Sequence, residues 1–400
     1  MMPKTIFLLT PVYVTLFWAL VLNLYVSPRH APKAFLGKFM LVAFVVYLSH
    51  FLYFSELWSI YPYLDPFYNL ASLLVFPLYH IYIRLLTREK RFSIAHHGKF
   101  ILVPLTLFLL YLPGLFLLSR EQYVEFLRLV IYGLQPANGV QIYLLWISRL
   151  IRAAFVLQVA WYLYANFRLI IDNNQRMEDY YSNTEDRRLH WVQFFNFSLA
   201  ATSVASIVAA LTGRETFFRG EWSLAGPSIV FSLMLFFIGL LGNTQTTVHF
   251  REEKSEEDQE PDSEEATAEG ALEEKQGFVF DSRIRNGMTK LFEKEMIFKN
   301  PDLKIWDVSQ MLGTNRTYVS RFINAEYERN FCNHVNHYRV QYAKRLLEEN
   351  PDLTNEQIAE LSGFGSQNSL YRAFQASEGI SYGQYRKLRQ KEADETNLEI

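Results

Sequence analysis

The stretch TNEQIAELSGFGSQNSLYRAFQ, residues 354–375, reads as two short helices around a tight turn. Thr354 and Gln357 have the spacing of a capping box, so the first helix starts there. Ile358, Ala359 and Leu361 are expected to pack inward, Gly363-Phe364-Gly365 supplies the turn, and Ser366 caps the second helix. Leu370 and Phe374 then point inward and leave Gln367, Asn368, Tyr371 and Arg372 on the outer face. Amide and guanidinium side chains read base edges bidentately, Gln or Asn to adenine and Arg to guanine.

The same plan occurs about fifty residues earlier in IWDVSQMLGTNRTYVSRFI, residues 305–323. Val308, Met311 and Leu312 are expected inward, Gly313 makes the turn, and a second helix begins near Thr314 with Val319, Phe322 and Ile323 inward. Its outer face offers Thr317, Ser320, Arg321 and Asn324, at i, i+3, i+4 and i+7, as a helix lying in a major groove requires. Ahead of it, Ile284, Met288, Leu291, Phe292 and Met296 predict one amphipathic helix over residues 283–299, closed by Pro301. Between the two units FCNHVNHYRVQYAKRLLEEN, residues 331–350, predicts a helix with Phe331, Val335, Tyr338, Tyr342 and Leu346 as its apolar stripe. About nineteen residues give about 28 Å, near the ~34 Å of one DNA turn, so two recognition helices can enter successive major grooves. His334 and His337 share a face but lack a third ligand, so they read as surface residues and no metal is expected.

One such pattern is weak, because any helical hairpin with a glycine turn imitates it. Two in tandem are stronger, and here the order of residues resembles the AraC family of bacterial transcription regulators over about Phe278 to Arg389. The resemblance rests on TNRTYVSRFIN, YAKRLL, IAELSGF, SQNSLYRAF and the closing GISYGQYRK. It implies an all-helical module whose recognition helices occupy major grooves, with base contacts at Thr317, Ser320 and Arg321 and at Gln367, Asn368, Tyr371 and Arg372. Arg316 is added as a phosphate contact. Asn324-Ala325, Gln375-Ala376 and Tyr382 depart from the lysines and the proline usual in that family. Residues 278–391 carry seventeen basic and thirteen acidic side chains, a surplus of four, so weak nonspecific affinity is expected.

The rest of the chain has another character. Hydrophobic residues make up 50% of the composition and aromatics 16%, and the excess lies before Phe250. Seven apolar runs approach the ~20 residues that cross a bilayer as a helix: Ile6–Val26, Phe39–Leu57, Pro66–Leu86, Phe100–Leu118, Ile147–Phe167, Trp191–Leu211 and Leu224–Leu241. With the N-terminus outside, the inner loops hold eleven Lys and Arg and the outer segments five. The bias places the C-terminal domain in the cytoplasm of a bacterium, behind a multi-pass inner membrane segment. Ionisable residues within the runs include Glu56, His80, Arg84, Arg149 and Arg152. The last two lie on one helical face, where they either hold an anionic ligand group or pair with headgroup phosphate. Residues 251–276 carry twelve acidic and three basic side chains and read as a solvated tether.

The expected architecture is therefore all-α: a seven-helix membrane bundle over residues 1–248, an acidic linker over 249–277, a tandem helix-turn-helix domain over 278–391 and a tail over 392–400. The expected function is a membrane-anchored transcription regulator. Promoter DNA and the lipid bilayer are its expected partners, with RNA polymerase, a second copy of the chain and an unidentified small-molecule or protein signal as candidates. A transporter or channel with a protein-binding C-terminal module is the alternative. No nucleotide-binding glycine loop, HExxH or nucleophile elbow occurs, so neither an enzyme nor a cofactor is expected. The single cysteine, Cys332, excludes an intrachain disulfide.

Overall fold

The computed structural model describes residues 2–24, 31–87, 92–184, 192–193, 195–201, 203–204, 225–244 and 282–398. The described elements are all helical, and the chain divides into two units. The first comprises Met1–Asn173 and Leu189–Arg251, and the second Asn174–Arg188 and Glu252–Ile400. The expected linker over 249–277 lies outside the described residues, as does most of the expected span Trp191–Leu211.

In the first unit, six helices are long and apolar enough to cross a membrane among the described residues. They are α1 (Met2–Leu24), α2 (Ala31–Phe54), α3 (Tyr61–Thr87), α4 (Ile94–Tyr111), continued by α5 (Pro113–Leu117), then α7 (Gly139–Tyr180) and α8 (Ala225–Thr244). A short amphipathic helix, α6 (Arg120–Arg128), sits between α5 and α7. Its start is a capping box: Ser119 N donates to Gln122 Oε1 at 3.2 Å and Gln122 N to Ser119 Oγ at 3.3 Å. Pro113 ends α4, because proline cannot donate into the preceding turn. The longest element is α7, with 42 residues and neither proline nor internal glycine after its first residue. At about 1.5 Å per residue it reaches about 63 Å, twice a hydrocarbon core. The run Ile147–Phe167 is only its middle; the polar residues after Phe167 continue the helix without breaking it.

Two apolar cores lie in this unit among the described residues. One gathers Trp18, Leu22, Phe39, Tyr79, Tyr82, Tyr162, Ile170, Phe195 and Ile238. The other gathers Tyr53, Tyr61, Tyr111, Tyr123, Phe126, Leu144 and Ile151. Within the second lies a buried carboxylate that the composition of the runs does not reveal. Asp65 accepts from Tyr61 Oη at 2.9 Å, Tyr111 Oη at 2.8 Å, Tyr123 Oη at 3.0 Å and Asn69 Nδ2 at 3.4 Å. One side chain thus joins α3, α4 and α6. His80 makes a second polar link, 2.7 Å from Asn166 Oδ1, between α3 and α7.

The second unit is built from α9 (Ser282–Thr289), α10 (Ile305–Leu312), α11 (Arg316–Tyr327), α12 (Phe331–Glu349), α13 (Asn355–Leu361), α14 (Gln367–Glu378) and α15 (Tyr382–Leu398). The single helix expected over 283–299 is divided. A π turn occupies Lys290–Lys294, and Met296 then takes a left-handed conformation, φ 50°, which stops the helix before a 3-10 turn at Ile297–Lys299. Ile284, Met288, Phe292, Val308, Val319, Phe322, Ile323, Phe331 and Val335 are buried in the first half of the unit. Val340, Ala343, Leu347, Ile358, Phe364, Leu370, Phe374 and Tyr382 form the core of the second. Helix α12 serves both, so a broad face of it is buried, beyond the single stripe that the spacing of its aromatics suggests.

Asp65 generates the first prediction. Replacing Asp65 by Ala removes an acceptor shared by three buried phenols, and each hydroxyl left without another acceptor costs about 1–3 kcal/mol. Thermal unfolding of the purified full chain in detergent should show a clear loss for Asp65→Ala and a smaller one for Asp65→Asn, which keeps one acceptor oxygen.

Candidate nucleic-acid interface

Each candidate contact lies on a helix whose start is fixed by its own side chains. Helix α10 begins at Lys304, whose N–H donates to Asp307 Oδ2 at 2.8 Å, and ends at Gly313 in the left-handed region, φ 63°. Asn315 then caps α11, its Oδ1 accepting from Tyr318 N at 2.8 Å, one residue beyond the start expected near Thr314. In the second unit the expected capping box is present: Thr354 N donates to Gln357 Oε1 at 2.9 Å and Gln357 N to Thr354 Oγ1 at 3.2 Å. Ser366 caps α14, its Oγ accepting from Ser369 N at 3.1 Å. The turn before it needs glycine twice over. Gly363 has φ 83°, and a Cβ there would press into the Phe298–Lys299 backbone.

The two second helices present matching faces. Thr317 corresponds to Asn368, Ser320 to Tyr371 and Arg321 to Arg372, just as buried Val319 and Ile323 correspond to Leu370 and Phe374. Thr317, Arg321, Asn368 and Arg372 are exposed, and Arg316, Ser320, Gln367 and Tyr371 are half-buried. Tyr371 is held from three sides. Its hydroxyl receives Asn355 Nδ2 at 2.8 Å and also Gln367 Nε2, and its ring stacks on Tyr382 at 5.9 Å. Gln367 and Tyr371 thus form one ordered pair, one turn apart at the start of α14. Lys344 of α12 pairs with Glu378 at 2.9 Å and fastens the far end of the same helix.

Some sequence expectations fail. Met311 is 56% exposed and Leu361 49%, although both were expected to pack. They occupy equivalent places near the ends of α10 and α13, helices of about two turns whose inner face is already filled by Val308 and Ile358. His334 is not a surface residue; it is buried among the rings of Phe292, Tyr327 and Tyr338, at centroid distances of 4.9, 4.4 and 5.3 Å. Arg339, unremarked in the sequence, is 1% exposed. Its guanidinium donates to Phe298 O at 2.8 Å and Asn300 O at 2.7 Å. Burial lowers its pKa to about 10. A charge enclosed by backbone carbonyls leaves no pattern in the local sequence. In the first unit, Arg149 and Arg152 are both exposed, away from the apolar cores. Arg149 lies over the Trp146 ring at 5.1 Å, and Arg152 Nε donates to Ser148 O at 3.3 Å on its own helix.

His334 gives the unit an acid limit. Burial, then the nearby Arg329 and His337, lower its pKa from 6.5 to about 3. Neither ring nitrogen has a hydrogen-bond partner among the described residues. The unfolded chain therefore binds a proton that the folded one refuses. The stability of the neutral ring is present above pH 6.5 and is lost as pH falls from there towards 3, by up to ~1.4 kcal/mol per pH unit. His334→Phe, which preserves the ring packing, should flatten that acid limb when chemical denaturation is followed between pH 7 and 4.

A family model described as a helix-turn-helix domain matches residues 308–388. No curated protein and no solved structure matches the chain. The matched residues run from α10 into α15 and include α11 and α14. Residues 308–388 therefore carry a helix-turn-helix domain, which supports the reading of this unit as a DNA-binding one.

Proposed function

We propose that the chain is a membrane-anchored, sequence-specific transcription regulator, multi-pass in a bacterial inner membrane, with its N-terminus outside and its DNA-binding domain in the cytoplasm. The observation that carries this reading is the pair of matching outward faces on α11 and α14, in a chain whose other unit has six helices long and apolar enough to span a bilayer. The bias of basic residues towards alternate loops supports the orientation. The apolar unit receives a signal, and the C-terminal unit reads promoter DNA through two successive major grooves. Arg321 and Arg372 are the principal base readers, each suited to a guanine, with Asn368 suited to adenine. Thr317 and Ser320 line the first groove, while the Gln367–Tyr371 pair presents a rigid edge in the second. Arg316, at the start of α11, neutralises phosphate. The exposed Trp146 and Arg149 suit a headgroup region, so Arg149 and Arg152 act as interfacial anchors in this reading.

The test uses the full chain in lipid nanodiscs, selecting fragments from the genome that encodes it. A defined sequence should be enriched, and binding should weaken steeply with salt. Arg321→Ala and Arg372→Ala should each cost about 1–3 kcal/mol on the selected site and relax preference at one base position. Arg316→Ala should weaken selected and random DNA alike and lower the salt slope by about one. Recovery of no enriched sequence, or equal binding by the Arg321→Ala, Arg372→Ala double variant, would sink the readout.

A further inference from the structure

The second unit is not continuous in sequence. Residues 174–188, which follow the apolar stretch of α7, belong to it together with the C-terminal helices. Within this unit Tyr181 forms an antiparallel bridge with Lys304, and Ser182 N donates to Leu303 O at 3.1 Å. Ser182 O accepts from Arg339 Nη1 at 3.2 Å and from Cys332 Sγ at 3.5 Å. Its hydroxyl accepts from Arg339 Nη2 at 3.1 Å and donates to Pro301 O at 3.5 Å. Asn330, the cap of α12, donates to Glu178 Oε2 at 2.9 Å. The Asn183 amide lies against Gly365, where a Cβ would clash with it, one residue before the cap of α14.

These partners come from three places. Pro301, Leu303 and Lys304 lead into α10 of the first helix-turn-helix unit, Cys332 and Arg339 belong to the connecting helix, and Gly365 leads into the second recognition helix. Arg339 closes the arrangement, its guanidinium lying 5.7 Å from the Phe364 ring in the second turn. A buried guanidinium requires acceptors for all its donors. Without Ser182, Nη1 would keep only Asn336 Oδ1, at 3.5 Å.

We propose that Glu178–Thr184 is an internal strap that completes the DNA-binding unit and sets its two helix-turn-helix halves in one relative geometry. The proposal rests on the reading of this unit as the DNA-binding one. The strap joins the C-terminal unit to the chain at a second point, independent of the acidic tether. The C-terminal unit is thereby held by the residues that follow α7, and cutting the tether does not by itself free the domain.

The experiment places a site-specific protease site within residues 251–276 of the full chain, cleaves it in native membranes and asks where the C-terminal fragment goes. With the natural Ser182 the fragment should stay in the membrane pellet. With Ser182→Pro, which removes the N–H given to Leu303, it should pass to the supernatant, and Ser182→Ala, which keeps the backbone bonds, should retain it. The fragment has the same sequence in all three, so a difference cannot arise from a damaged C-terminal chain. In the uncleaved protein, Ser182→Pro should weaken binding to selected DNA by about tenfold or more, equivalent to at least ~1.4 kcal/mol. Release of the fragment from the unsubstituted protein overturns the strap. Unchanged DNA affinity in Ser182→Pro overturns its role in setting the two halves. Retention by a protein that selects no DNA supports the strap and overturns the DNA reading instead.

Discussion

A guanidinium cannot be taken out of water unless every side of it meets an acceptor, and Arg339 meets that demand mostly with backbone. Phe298 and Asn300 supply carbonyls from the segment before the first helix-turn-helix unit, and Ser182 supplies another from the loop after α7. Phe364, in the second turn, covers the charge from the side. Because these carbonyls come from separate segments of the chain, the ion ties their backbones together. The helices that carry Arg321 and Arg372 inherit that order. So does Gly363, which must lack a side chain because the same Phe298–Lys299 backbone passes against it.

Much of the DNA-binding unit was legible in the sequence because its signals are local. The Thr354–Gln357 box, the Ser366 cap, the Gly313 turn and the polar faces of α11 and α14 each depend on residues within about one turn of each other. Where local signals are short, reading failed. Helices α10 and α13 have eight and seven residues, too few for periodicity to separate Met311 from Val308 or Leu361 from Ile358. His334 was misplaced because α12 is packed from two directions and hides more than one stripe. Arg339 and Ser182 are partners across more than 150 residues of chain, a distance that no spacing rule covers.

In the apolar unit, run length located helices well and their limits less well. Polarity after Phe167 suggested an end where α7 continues, since charged residues with good helix propensity do not stop a helix that has already formed. The sequence also concealed the Asp65 cluster. Tyr61, Tyr111 and Tyr123 look like three more aromatics in an aromatic-rich stretch, and only the fold brings their hydroxyls to one carboxylate.

The discontinuity of the second unit bears on how such a protein could have been assembled. A domain encoded as one uninterrupted block can be moved between genes by a single recombination, and the matched residues 308–388 invite that view. Here the block arrives with a gap that Tyr181 and Ser182 fill from another part of the gene. Exchanging the C-terminal block alone would leave Arg339 facing a loop shaped for a different partner. Substitutions in the loop and in the helices it touches then act on one shared set of hydrogen bonds around Arg339.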